Sequence, residues 1–83
     1  MASQQLIDKV WDKATTIRGK NPEVYRKDTE GNVIRKASYG TQGEYAWHID
    51  HIKPKSKGGS DNIRNLQPLH AEENRKKSNT YPY

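Results

Sequence analysis

The chain has 83 residues, of which 30% are apolar and 30% charged, with a formal net charge of +5 and no cysteine. This length admits one small domain with a thin core, and the cysteine count excludes disulfides and thiolate zinc sites. No apolar run approaches the roughly 18 residues of a bilayer span, and Met1 to Gln5 has neither a basic start nor an apolar stretch after it, as a signal peptide would. The expectation is a cytoplasmic, intracellular protein with no membrane partner. The basic balance favours a polyanion such as nucleic acid, although many small domains carry such a charge for solubility alone.

Ser3 can cap a helix over residues 4–18, in which Leu6, Ile7, Val10, Trp11, Ala14 and Ile17 form one apolar stripe. Its simplest role is to complete the core; a dimer interface or a DNA-positioning helix is the sharper reading. Gly19-Lys20-Asn21-Pro22 ends it. A β-hairpin is expected over residues 23–36, with Gly31 supplying a positive φ in the Asp28-Thr29-Glu30-Gly31 turn. Arg26, Lys27, Arg35 and Lys36 cluster on its arms, either as a solvated face or as a ribbon that touches phosphates. Tyr39 and Tyr45, around a polar loop, are expected to pack.

The chain from Trp47 to Asn79 holds all three histidines. A strand is expected from Ala46 to Ile52, then a loop broken by Pro54 and Gly58-Gly59. A short strand should follow at Asn65 to Gln67. Pro68 and the run Leu69 to Lys77 suit a helix that stops at Ser78-Asn79. The tail, Thr80-Tyr81-Pro82-Tyr83, either packs on the core or frays.

Several residue types recur here at fixed offsets: Asp50-His51-Ile52, Pro54, Lys57-Gly58-Gly59, Asn65-Leu66-Gln67-Pro68-Leu69, and Asn74 with Lys77 one turn on. Together they resemble the HNH nuclease family, closely over the last third of the chain. Arg26-Lys27-Asp28 and Tyr39-Gly40 resemble the lead-in of small stand-alone members. The CxxC pairs that hold a structural zinc in many relatives are missing, and the third family position is Asn74, which makes this the HNN variant.

The resemblance implies an α+β fold: a ββα-metal (His-Me finger) motif over residues 46–79, with an N-terminal helix and an extra β-hairpin in one domain. It implies a metal-dependent DNA endonuclease in which His51 is the general base, since imidazole titrates near neutral pH. Asp50 and Asn74 would be the metal ligands, a pair that suits one hard divalent cation, Mg²⁺ or Mn²⁺ before Zn²⁺ or Ni²⁺. Asn65 would brace the loop and so orient His51. The products would carry a 5′-phosphate and a 3′-hydroxyl.

Lys77, one turn past Asn74, is the best phosphate contact, with Lys57, Arg75, Lys53 and Arg35 as further candidates. His48 shares a strand face with Asp50 and His70 a helix face with Asn74, so both are additional ligand candidates; a structural role is the simpler reading of each. Asp50 and His51 are neighbours and would point to opposite faces of a regular strand. The strand must therefore end or bulge there. One constellation per chain suits nicking with weak sequence specificity, by a monomer or a homodimer. Two rivals stand beside this reading: a nucleic-acid-binding module without catalysis, and a protein-interaction domain.

Overall fold

A computed structural model describes residues 2–80, with side chains to Lys77. The α+β order is α1 (Gln4–Trp11), β1 (Thr15–Thr16), β2 (Tyr25–Lys27), β3 (Val33–Arg35), β4 (Trp47–His51), β5 (Leu66–His70) and α2 (Ala71–Thr80). The first three strands form one antiparallel sheet, β1-β2-β3, and β4 pairs antiparallel with β5 in a second. The tail residues Tyr81-Pro82-Tyr83 lie outside the described residues.

Ser3 caps α1 as expected, its hydroxyl accepting from the Leu6 N–H at 3.1 Å. The helix is shorter than expected, ending at Trp11 instead of residue 18. The next two turns tighten, with Lys13 N–H bonding Val10 O and Ala14 N–H bonding Trp11 O. The β-branched pair Thr15-Thr16 then joins the hairpin as an edge strand against Lys27 and Arg26, where branched side chains fit better than in a helix. The apolar stripe nonetheless reaches the core through Ile7, Val10, Trp11 and Ala14.

The hairpin pairs Tyr25 with Arg35 and Lys27 with Val33, inside the expected 23–36. Gly31 has φ 84°, as the turn requires. Asp28 shapes the turn: its buried carboxylate accepts from the backbone of Glu30 (2.9 Å) and Asn32 (2.8 Å). It also accepts from the His70 N–H at 2.8 Å, which pins the hairpin to the end of β5. Two cations of the basic ribbon are used internally. Arg26 bonds Asp12 O and Ala14 O at the end of α1 and lies over Trp11. Lys36 pairs with Glu23 and Asp8, and the hydrogen bond it donates to Glu23 is the main reason its pKa is raised.

β4 lies within its expected span, Ala46 to Ile52, and is one residue shorter at each end. β5 starts one residue later than expected and runs three further, so Pro68, Leu69 and His70 belong to a strand and not to the helix. Pro68 is tolerated because of register. Ladder bonds join Ile52 N–H to Asn65 O and Ala71 N–H to Ala46 O. Alternation then puts Ile49↔Pro68 at a position without ladder hydrogen bonds, where the missing N–H costs nothing. α2 continues through Ser78-Asn79, the expected stop; neither residue lacks an N–H or needs a positive φ, as a strong breaker would.

The core cluster joins Ile7, Val10, Trp11 and Ala14 to Ile34, Trp47 and Leu66, with Tyr39 and Ile49 against it. Trp11 and Trp47 rings lie 5.3 Å apart, and Tyr39 stands edge-on to Trp47 at 5.0 Å. Tyr45 packs edge-on to Tyr25 at 5.4 Å, so both loop tyrosines pack. Both indole N–H groups find carbonyls, Trp11 on Pro22 and Trp47 on Lys36. α1 therefore closes one face of β4–β5, and α2 covers the other.

Candidate functional site

The α2 face of the ribbon carries His48 and Asp50 from β4 and Gln67 and Leu69 from β5, by strand alternation. The Asp50 side chain is fully buried. Its Oδ2 accepts from Gln67 Nε2 at 2.8 Å, its cross-strand partner, and from Lys77 Nζ at 2.7 Å. The same Lys77 ammonium donates to the His51 carbonyl at 2.9 Å. Lys77 was read from the sequence as a phosphate contact; here it lies against the carboxylate of the metal-ligand candidate. Two hard oxygens, Asp50 Oδ2 and His51 O, thus already converge on a positive charge. That donor chemistry fits a hard divalent cation.

β4 ends at His51 without a bulge, since its register with β5 is unbroken from Trp47↔His70 to His51↔Leu66. The imidazole turns to the loop instead, where Nε2 donates to Asp61 Oδ1 at 2.7 Å. With Nε2 carrying the hydrogen, the neutral ring keeps Nδ1 as its basic nitrogen. Asp61 also pairs with Lys55 at 3.3 Å. Its carboxyl is held below the usual carboxylate pKa, first by the His51 hydrogen bond and then by Lys55. The sequence reading missed Asp61. Its only signal is an acidic residue just after the glycines, and loop closure alone brings it to the ring.

Asn65 fastens that loop at both ends. Its Oδ1 accepts from Lys53 N–H (2.8 Å), and its Nδ2 donates to Lys53 O (3.1 Å) and Ser60 O (2.8 Å). Gly59 N–H bonds Pro54 O across the same closure. A Cβ on Gly59 would fall 1.8 Å from Lys53 O, so the crossing is open only to glycine. Lys13 reaches in from beyond α1 and donates to Ile63 O at 2.7 Å and to Leu66 O.

Asn74 lies one turn before Lys77 on α2 and lines a cleft of about 580 Å³ with His48, Gly40 to Gly43, Ala71, Glu72 and Arg75. Asn74 and His48 therefore share one cleft, while Asp50 is not among its lining residues. His70 has both ring nitrogens in use: Nδ1 accepts from Glu72 N–H at 3.1 Å and Nε2 donates to Glu44 O at 2.6 Å. It caps the start of α2, the structural role that is its simpler reading, with both ring nitrogens engaged. Lys53, Lys57 and Arg35 are exposed, and Arg75 pairs with Glu72 at 2.6 Å. Among the described residues no three His, Asp or Glu side chains cluster to hold a metal. No described helix is long and apolar enough to cross a membrane.

Comparison with curated proteins and with solved structures found no match. Comparison with family models found one, HNH endonuclease, over residues 35–80. This span begins at the end of β3 and takes in β4, the loop, β5 and α2, more than half of the chain. HNH nucleases act on nucleic acid and generally use a divalent metal. The stretch from Asp50 to Lys77 that carried the close resemblance lies within the match, Arg26-Lys27-Asp28 lies before it, and the strand–loop–strand–helix order is that of a ββα fold; the chain belongs to the HNH endonuclease family.

Proposed function

We propose that the chain is a metal-dependent DNA endonuclease that hydrolyses phosphodiester bonds with His51 as general base. The His51–Asp61 contact supports this most. A carboxylate holding Nε2–H fixes the imidazole's orientation and leaves Nδ1 to take a proton from water. Asn65 holds the loop that carries Asp61 and so keeps that orientation.

Asp50 would hold one divalent cation, Mg²⁺ or Mn²⁺ before Zn²⁺ or Ni²⁺, with Asn74 as the second ligand. When bound, the cation would stabilise charge developing on the scissile phosphate and the leaving oxygen. Gln67 keeps the Asp50 carboxylate in place. Lys57, Lys53, Arg35 and Arg75 would meet backbone phosphates, contacts that position a duplex without reading its sequence. Specificity is accordingly weak. One site per chain gives nicks; a double-strand break needs a second copy or a second event. The proposed setting is intracellular.

Supercoiled plasmid should become nicked when Mg²⁺ or Mn²⁺ is added and should stay intact with EDTA. His51→Ala should lower the rate by roughly 10²- to 10⁴-fold. Nicking undiminished in that variant would overturn the assignment of the base.

A further inference from the structure

We infer that Lys77 is a place-holder cation: its ammonium occupies the metal's position at Asp50 until a nucleic-acid phosphate draws it away, which makes metal binding depend on substrate. The inference rests on the nuclease reading. Lys77 Nζ lies 2.7 Å from Asp50 Oδ2 and 2.9 Å from His51 O. The Lys77 side chain is only 21% exposed, and that of Asp50 is fully buried. A divalent ion on that carboxylate oxygen would sit beside the ammonium, and two positive charges at such a separation repel strongly in a partly buried site. Metal and ammonium therefore exclude each other.

The exchange needs no backbone movement. Lysine is a compact charge on a flexible four-carbon stem, and Lys77 stands on α2 one turn past Asn74. With no anion nearby, leaving Asp50 would strip the ammonium of a partner. A phosphate diester at the site supplies one. Gln67 stays bonded to Asp50 Oδ2 at 2.8 Å and holds the carboxylate's rotamer while the cations change places. Since coupling between two ligands is reciprocal, phosphate should favour metal as much as metal favours phosphate.

The test is calorimetric titration of Mn²⁺ into the protein without DNA, for wild type, K77M and D50A, with nicking rates measured alongside. K77M should bind Mn²⁺ at least roughly tenfold tighter than wild type yet nick more slowly, because the phosphate has lost its ammonium. A merely structural lysine would not separate the two readouts in opposite directions. Equal or weaker Mn²⁺ binding by K77M would overturn the inference. Should K77M not fold, K77Q, which keeps a hydrogen-bonding end without the charge, decides by the same comparison. D50A separates the two levels. If it binds Mn²⁺ as wild type does, the metal site of the nuclease reading fails. If it loses Mn²⁺ while K77M matches wild type, only the place-holder role fails.

Discussion

Toward α1 the β4–β5 ribbon presents Trp47, Ile49 and Leu66; toward α2 it presents His48, Asp50 and Gln67. The first face is joined by apolar contact to Trp11, Val10 and Ile7, the second by hydrogen bonds and an ion pair. A small chain without disulfides cannot spare apolar surface on both sides of a two-stranded ribbon. The N-terminal helix and hairpin therefore supply most of the packing, and the α2 face is left to polar groups around one buried leucine, Leu69. Changes on the first face should act through stability and changes on the second through chemistry.

The largest expected effect breaks the packing side. Trp11→Ala removes a fully buried indole and should cost about 3–5 kcal/mol, a large share of the 5–15 kcal/mol typical of a domain. Urea titration should show most of the stability gone, with nicking lost only as structure is lost.

Asn65→Ala tests the boundary between the two sides, because its three hydrogen bonds hold a loop that is both structural and chemical. It should cost roughly 1–3 kcal/mol. Nicking measured well below the unfolding temperature should fall further than the folded fraction does. His70→Ala should cost about 1 kcal/mol as a lost helix cap and leave Mn²⁺ affinity unchanged. Weaker Mn²⁺ binding in that variant would put His70 among the ligands.

Asp61→Asn is the mildest change, since it keeps the side chain's shape on an exposed loop, and it sharpens the polar side. Nicking should drop while the melting temperature barely moves. The pH dependence has a definite sign. The folded-state pKa of Asp61 is lowered, so its contribution is present above its unfolded pKa and is lost as pH falls through the lowered value. Urea midpoints of wild type and Asp61→Asn should thus differ slightly at neutral pH and converge in acid.

What was legible in the sequence was whatever depends on local chemistry. The Ser3 cap, the positive φ of Gly31, the β4 strand and the packing of Trp11 all follow from single residues or short offsets, and the loop-binding asparagine follows from the family resemblance. What was not legible depends on partners far along the chain. The helix reading beyond Trp11 failed because Thr15-Thr16 had a strand waiting at Arg26-Lys27. Pro68 looked like a helix start because its harmless place in a ladder appears only once the register is known. Whether Arg26 and Lys36 face solvent or phosphates stayed open in the sequence because their internal partners, Asp12 O, Ala14 O, Asp8 and Glu23, lie 12 to 28 positions away. Asp61 and the Lys77–Asp50 pair, the two polar contacts nearest the proposed chemistry, join residues 10 and 27 positions apart. No short motif encodes such separations.

The most direct measurement of the central claim is the nicking rate of supercoiled plasmid across a Mg²⁺ or Mn²⁺ titration, for wild type beside a His51→Ala variant shown by circular dichroism to be folded. The account predicts a rate that rises from background with metal for wild type and stays near background for the variant. Equal rates for the two proteins, or nicking by wild type that EDTA leaves untouched, would contradict it.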